Sequence, residues 1–447
     1  MKKNYRFLFL CLIFTALLFI HPGAQSDNRV IHSQEELLTY LKDRRMESCL
    51  SRVGENAPDI EFSCSDTLYS TLKDREFREL FRMMIRAGFD PNIRFSYSDE
   101  ICFIRILTPA YMDLPWTECE NEAQIHQFLG SLPADCRGFV LLLTHELMVQ
   151  LQQNQHLSWI AGEAGIDNMS LLYSDQADYY EAENIRFFPG TAIVKAARAG
   201  NSGGLTSREV DTWRIAQSVA DSVRNYPPLL RAQLIHDWIC EHVVYIIDEA
   251  TDEDDNAIGA ILNGKANCDG YSDAFFLIGS LAGLNVRCQR GQGADFSAPD
   301  SYLLETHMWN LLEIDGIWHM VDVTWDDDED GMTHIWFNAG MDVAEKLHVW
   351  NKDLSVEIAP VTERIVYAEN EFFVRSEQEL REAVDISAER KFPVFYVIFE
   401  NPYINYLLED AIQYVGDKVS DTVIYYSWNE KAGLLKFRDL HWKECYY

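Results

Sequence analysis

Apolar positions along this 447-residue chain change period repeatedly, and the changes outline a series of small α/β units. Val30-Ile31, then Ser33 and Glu35-Glu36, predicts a short strand, an N-cap and the opening of a helix. Ile60, Phe62 and Cys64 alternate as a strand, and Leu68 to Ala87 carries a helical pattern ending at Gly88. Ile93–Tyr97 and Ile101–Ile106 then read as a hairpin about Ser98-Asp99. The same order returns late in the chain. Phe373-Val374-Arg375-Ser376-Glu377-Gln378-Glu379-Leu380 mirrors the first strand and cap. Val394–Phe399, a helix around Ile404–Val415, and a hairpin of Val423–Trp428 with Leu434–Arg438 about Asn429-Glu430 complete the copy. A fainter third copy lies between them: Gln124–Leu129 helical, Phe139–Leu143 strand-like and Leu147–Ile160 helical. In it, Tyr173-Ser174-Asp175 matches Tyr97-Ser98-Asp99, and Ile185-Arg186-Phe187 matches Ile104-Arg105-Ile106.

This pattern predicts three α/β modules at 27–116, 117–190 and 365–447, around a distinct central region at 205–345. Without a convergent set of reactive groups, the modules read as binding or spacing units. Gly190 closes the second module, and Gly200-Asn201-Ser202-Gly203-Gly204 forms a hinge. After residue 344 a polar, charged helix is expected to lead to Pro360.

The central region holds the candidate chemistry. Val210–Arg224 and Leu229–Val244 read as helices, the second following Pro227-Pro228 with Trp238 on its apolar face. Asp248–Asp255 reads as a solvated acidic loop, placed to repel acidic substrates. A further helix begins at Cys268, with Tyr271, Ala274, Phe275, Ile278 and Leu281 as its apolar positions and Gly283 as its stop. A thiol on a first helical turn meets unpaired N–H groups and the positive end of the dipole, which favour thiolate. Downstream, Asp315-Gly316 joins His307–Ile314 to Ile317–Thr324 as a hairpin. If Ile314 pairs with Ile317, Trp309 faces Asp322 and His307 faces Thr324. His307 and Asp322 then share one face as diagonal neighbours, roughly 7–8 Å apart at the backbone. A carboxylate so placed fixes the tautomer and orientation of an imidazole, and a cysteine need only approach the ring's other nitrogen. Trp309 and Trp325 read as core packing, with Trp309 on the same face as His307 and placed to line a cleft.

Those residues carry a family resemblance. Asn267-Cys268-Asp269-Gly270-Tyr271, His307-Met308-Trp309-Asn310, and Trp318-His319-Met320-Val321-Asp322-Val323-Thr324-Trp325-Asp326-Asp327 resemble the core of the transglutaminase-like superfamily, over about Pro228 to Asn338. The resemblance implies an α+β, papain-like arrangement, a Cys-bearing helix packed on an antiparallel sheet. It implies Cys268 as nucleophile, His307 as base and Asp322 as orienting acid. Bacterial relatives carry Gly and a small or β-branched residue before the Cys, where this chain has Ala266-Asn267. Tyr245 falls near an aromatic position found before the nucleophile in relatives.

Composition sets the surroundings. Hydrophobic residues make up 47% and aromatics 13%, enough for sizeable cores. Lys+Arg number 38 against 71 Asp+Glu, a formal charge of −33, which disfavours nucleic acid and anionic lipid as partners. Lys2, Lys3 and Arg6, the apolar run Phe7–Ile20 and the segment 21–26 form a secretory-signal pattern. Residues 1–26 are therefore read as a signal peptide of a secreted protein, with an uncleaved N-terminal anchor as the alternative. Cleavage takes the charge to −36. Nine cysteines would then remain, an odd number without metal-ligand spacing, and Cys64, Cys102 and Cys240 read as buried thiols.

Asp326–Gly331 opens like a calcium loop, with Gly sixth, but the twelfth position is Phe337 where a bidentate Glu is required. It reads as a solvated hairpin loop. His145-Glu146 lacks a second His at 149 and is not a zincin motif. No metal or other cofactor is called for. The expectation is a cysteine enzyme acting on protein or peptide amide bonds, by hydrolysis or by acyl transfer to an amine; the alternative is a non-catalytic binding protein retaining the same fold.

Overall fold

The computed structural model describes residues 29–443 apart from 51–58, 74–76, 91–93, 108–109, 111, 154–155, 175–177, 247–250, 295–303, 351, 353–355, 363–368, 400–406, 421–422 and 430–432. The expected signal segment lies outside the described residues. The chain forms two compact units, one up to Asp113 and one from Leu114 onward.

The first unit contains β1 (Val30–Ile31), α1 (Gln34–Leu50), β2 (Ile60–Cys64), α2 (Asp66–Lys73), α3 (Arg78–Arg86), β3 (Arg94–Ser98) and β4 (Phe103–Leu107). Its sheet has the order β1-β2-β4-β3, parallel between β1 and β2 and antiparallel elsewhere. The helix expected from Leu68 to Ala87 is two helices. Phe77 takes a left-handed φ of 64°, which ends one run before the next. Its buried ring then packs against Tyr69, Phe95 and Tyr97, so a core contact decides the break that helical periodicity concealed.

The second unit opens with a sheet of the same design. It consists of β5 (Trp116–Cys119), α4 (Glu122–Ser131), β6 (Gly138–Leu143), α5 (His145–Gln153), α6 (His156–Glu163), β7 (Ile166–Ser174) and β8 (Tyr179–Phe187), in the order β5-β6-β8-β7. Next come α7 (Pro189–Ala199), α8 (Ser207–Val223), α9 (Pro228–His242), β9 (Val244–Tyr245), β10 (Lys265–Ala266), α10 (Cys268–Leu281), β11 (Asn285–Ala294), β12 (Leu304–Ile314) and β13 (Ile317–Val321). They are followed by α11 (Val323–Asp326), β14 (Asp327–Asp328), β15 (Gly331–Met332), α12 (Met341–Ala344) and β16 (His348–Val349). The central sheet runs β13-β12-β11-β16, all antiparallel. A last sheet, β17-β18-β20-β19, repeats the module design with β17 (Glu371–Val374), α13 (Glu377–Arg390), β18 (Phe395–Phe399), α14 (Leu407–Lys418), β19 (Tyr425–Asn429) and β20 (Leu434–Arg438).

The three module sheets share a helix-starting device as well as a strand order. Ser33, Asn121 and Ser376 each accept the backbone N–H three residues on, from Glu36, Gln124 and Glu379. Those three side chains reach back to the N–H of His32, Glu120 and Arg375. Each pair satisfies donors that a helix start otherwise leaves open.

Gly190 does not close the second module. It is the second residue of α7, and its N–H donates to the buried Asp273 carboxylate of α10 at 3.0 Å. A Cβ there would stand 2.2 Å from Asp273 Oδ1, so close helix packing explains the glycine. The polar helix expected after residue 344 is also absent among the described residues. The chain leaves α12 and pairs with the central sheet through β16, where His348 lies opposite Gly293. Leu347, Trp350 and Ile358 are buried with Trp309, Trp318 and Trp336, and that apolar burial outweighs the polar helical pattern.

Candidate active site

The N-terminus of α10 is built to present Cys268. Asn267 is its N-cap, and the side-chain oxygen accepts from the N–H groups of Asp269 (3.1 Å) and Gly270 (3.3 Å). Its side-chain amide donates to Asp255 at 2.5 Å, and its backbone N–H to Asp254 O at 3.0 Å. The 251–255 part of the acidic segment is therefore a clamp on the cysteine turn, with Asp254 buried and bonded to Thr251, where a solvated loop was expected. The reason is local: the turn's polar groups need partners inside the fold, and the loop supplies them. Residues 247–250 lie outside the described residues. The Ala266-Asn267 pair thus has two roles. Asn267 caps the helix, while Ala266 pairs with Tyr245 across β10 and β9.

Cys268 is half-buried, with Sγ 4.0 Å from Asp269 Oδ1. Arg290 on β11 neutralises that carboxylate at 2.9 Å and lies over the Phe188 ring, 5.4 Å from its centroid. Module residues thus brace the strand beside the thiol. Glu163 of α6 accepts from Gln289 of the same strand.

His307 projects from β12. Its Nε2 lies 2.7 Å from Asp322 Oδ2, and the Cys268 sulfur is near enough to act on the ring's charge. Because Asp322 holds Nε2, Nδ1 is the nitrogen left for sulfur. Burial opposes charge on the ring, but the Asp322 carboxylate and the Cys268 sulfur outweigh it and push His307 up to about 10. Burial likewise opposes ionisation of Asp322, yet the attraction of His307 and bonds from His307 and His348 hold it well below the usual carboxylate range.

The structure brings Cys268, His307 and Asp322 together, and the hairpin keeps the implied register, but its ladder ends before the site residues are reached. Ile314 does pair with Ile317, and the ladder stops at Asn310 opposite Val321. The pairs Trp309–Asp322 and His307–Thr324 do not form. The chain leaves the sheet at Asp322, which caps α11 and accepts the Trp325 N–H at Oδ1 (3.2 Å). Helix capping and imidazole binding then use the two oxygens of one carboxylate. Trp325 stacks on His307 with centroids 4.8 Å apart and planes at 13°. Trp309 is core rather than cleft, at 1% exposure.

His348 was missed. Its Nε2 lies 2.9 Å from the same Asp322 Oδ2. Burial pushes its pKa down despite Asp322, so it is a neutral donor to the carboxylate. The available signal was the short, largely apolar run Leu347-His348-Val349-Trp350, which suits a strand.

The Asp326–Gly331 segment forms the expected hairpin with an exposed tip at Glu329, but its other carboxylates are engaged inside the fold. Asp326 is fully buried and accepts from Thr333 Oγ1 (2.8 Å) and the Trp336 N–H (3.1 Å). Asp328 and Asp330 each meet the Lys436 ammonium of β20 at 2.5 Å. The last module supplies the cation that these carboxylates require. Asp326 also faces His236 Nε2 at 3.2 Å, opening a second histidine cluster. There His236 Nδ1 and His334 Nε2 both lie 2.9 Å from Asp237 Oδ1, and Glu371 of β17 lies 3.5 Å from His334 Nδ1.

Cys64, Cys102 and Cys240 are free thiols, with only Cys64 fully buried; Cys102 donates to Asp66. His145 is bonded to Asp178. No described helix is long and apolar enough to cross a membrane.

Residues 217–323 match the model of the transglutaminase-like superfamily. A kyphoscoliosis peptidase of Homo sapiens is 35% identical over 103 residues, 22% of this chain and 16% of that protein. A kyphoscoliosis peptidase of Mus musculus is 33% identical over the same lengths. The chain therefore spans 16% of the length of the curated relatives it matches. A solved structure of a TGase aligns at 13% identity and a TM-score of 0.23, covering 51% of this chain and 62% of that one. The central region is a transglutaminase-like core within a mixed α/β chain.

Proposed function

We propose that this transglutaminase-like core is the catalytic part of a secreted cysteine enzyme that cleaves protein or peptide amide bonds through a thioester on Cys268. The observation that carries the reading is the convergence of a half-buried thiol on a helix N-terminus with an imidazole whose far nitrogen is held by a buried carboxylate. The Cys268 sulfur attacks the carbonyl carbon, and the C=O pair moves onto oxygen. As the intermediate collapses, the C–N bond breaks and His307 Nδ1–H gives its proton to the departing amine. Water then attacks the thioester while His307 takes its proton, releasing the acid and restoring the thiolate. A lysine amine in place of water gives cross-linking. Hydrolysis is the reading carried forward, because water is always available and the curated relatives are named peptidases. The secretory pattern at the N-terminus supports extracellular action, and the acidic chain favours neutral or basic substrates.

The test is iodoacetamide labelling near neutral pH with mapping of the modified cysteine. Preferential labelling of Cys268 that is lost in His307→Ala supports the reading. Uniform labelling, unchanged in His307→Ala, overturns it in favour of a non-catalytic binding protein. Incorporation of a fluorescent primary amine into a glutamine-containing protein, absent in Cys268→Ala, would replace hydrolysis by acyl transfer.

A further inference from the structure

We infer that His236, Asp237 and His334 form a binding site for one divalent transition-metal ion of the zinc type, separate from the cysteine site. Three ligand atoms converge here: His236 Nδ1 and His334 Nε2 each lie 2.9 Å from Asp237 Oδ1, and all three lie within 4.8 Å of one another. Two imidazoles and a carboxylate suit zinc and its first-row neighbours better than calcium or magnesium, which prefer all-oxygen cages.

The outer atoms make the stronger argument. Ligating histidines characteristically give their second ring nitrogen to a carboxylate, which fixes the tautomer and raises ligand basicity. Here His236 Nε2 ends on Asp326 at 3.2 Å, and His334 Nδ1 faces Glu371 at 3.5 Å. Both carboxylates are buried. Asp326 is oriented in turn by Thr333 and the Trp336 N–H, and Glu371 by the His334 N–H. The two rings are 0% and 3% exposed, whereas the Asp237 side chain is 21% exposed, leaving a side for an incoming ion and a water ligand.

The second set of this kind, His307, Asp322 and His348, lacks the outer carboxylates, and its His307 is engaged with a thiol. A bound ion would leave each ring neutral, with its remaining N–H directed at Asp326 or Glu371. The ion would tie α9, the segment after α11 and β17 of the last module at one point.

The test uses the full chain in a Cys268→Ala background, which removes the thiol beside His307. The protein is stripped with a chelator, reloaded with Zn²⁺, gel-filtered and assayed for metal. One equivalent of zinc is expected, with a higher melting temperature. Asp237→Asn and His334→Gln should lose the zinc, and His348→Gln should keep it. Absence of retained zinc, or zinc lost in His348→Gln but kept in Asp237→Asn, overturns the assignment. Where a variant does not fold, the Cys268→Ala parent decides the matter: one retained equivalent with a raised melting temperature supports the site, and no retained zinc overturns it.

Discussion

Around Asp322, two histidines share one carboxylate oxygen, and one keeps a ring nitrogen for a thiol. Around Asp237, two histidines also share one carboxylate oxygen, but their remaining nitrogens face Asp326 and Glu371. The inner geometry is nearly the same, so the two proposed roles rest on the outer partners. A ring with one nitrogen on a carboxylate and the other beside sulfur can move a proton between sulfur and a leaving group. A ring with carboxylates at both ends can only hold a charge, whether a proton or a metal ion. The two clusters are joined by a single helical turn, for Asp322 caps α11 and Asp326 ends it, with the Asp326 N–H donating to Asp322 O at 3.1 Å.

The comparison breaks most sharply at the sulfur. Cys268→Ala should lower turnover of a peptide amide by about 10⁴-fold or more while leaving the melting temperature within a few degrees. Turnover within tenfold of the parent would remove the distinction between the clusters. Asp322→Asn comes next, with an expected loss of about 10²–10⁴-fold in kcat/KM. Its pH profile adds a second readout. In the parent, His307 must stay protonated to serve the leaving amine, so activity falls as pH rises through about 10. Without the carboxylate, burial dominates and lowers the ring's pKa, so the alkaline limb should move to lower pH. A limb that stays in place would show that Asp322 does not set the charge on His307.

His348→Leu should cost about tenfold in kcat/KM, the scale of one hydrogen bond to a charged group, and His348→Gln less. Under the proposed mechanism His348 would reach the reaction only through Asp322, as a positioning residue. Gln can still donate to the carboxylate, whereas His348→Leu cannot. A kcat/KM ratio of at least threefold between the two variants is expected, with KM nearly unchanged. Equal values would mean that His348 only fills space among Trp309, Trp325 and Trp336.

The difference between the clusters also marks what the chain discloses without a structure. Cys268, His307 and Asp322 were legible because each sits at a locally encoded landmark: a helix start, a strand and a hairpin of defined turn. The Asp322 contact was nevertheless reached by a different route, since the strand ended one residue before the expected pairs. Helix capping at Trp325 won over ladder extension, a competition that alternation alone does not reveal. The module strands and their caps were readable for the same local reason, as Ser33/Glu36 and Ser376/Glu379 show. His348, His236 and His334 were not. Each gains its partner from a distant segment: His236 meets Asp326 across 90 residues, and His334 meets Asp237 across 97. Acidic runs were misread for a related reason. A row of carboxylates looks solvated until the cation or N–H that buries it arrives from elsewhere in the chain.

Lys436 is such a cation, and it yields the smallest expected effect. Its side chain is 10% exposed, while its partners Asp328 and Asp330 are 31% and 23% exposed. Solvent screens the carboxylate side of both pairs, so their loss costs less than breaking a fully buried pair. Lys436→Met keeps the apolar stem against Tyr396 and removes only the ammonium, leaving two neighbouring carboxylates to repel each other. Stability should fall by about 1 kcal/mol in urea unfolding, and added salt should recover part of it by screening that repulsion. The acidic hairpin follows directly after Asp326, so Lys436→Met also probes the non-thiol cluster. Zinc retention by the stripped and reloaded protein should be unchanged, because Lys436 touches none of the proposed ligands. A parallel loss of zinc would mean that the hairpin's charge, rather than the three converging side chains, is what holds the ion.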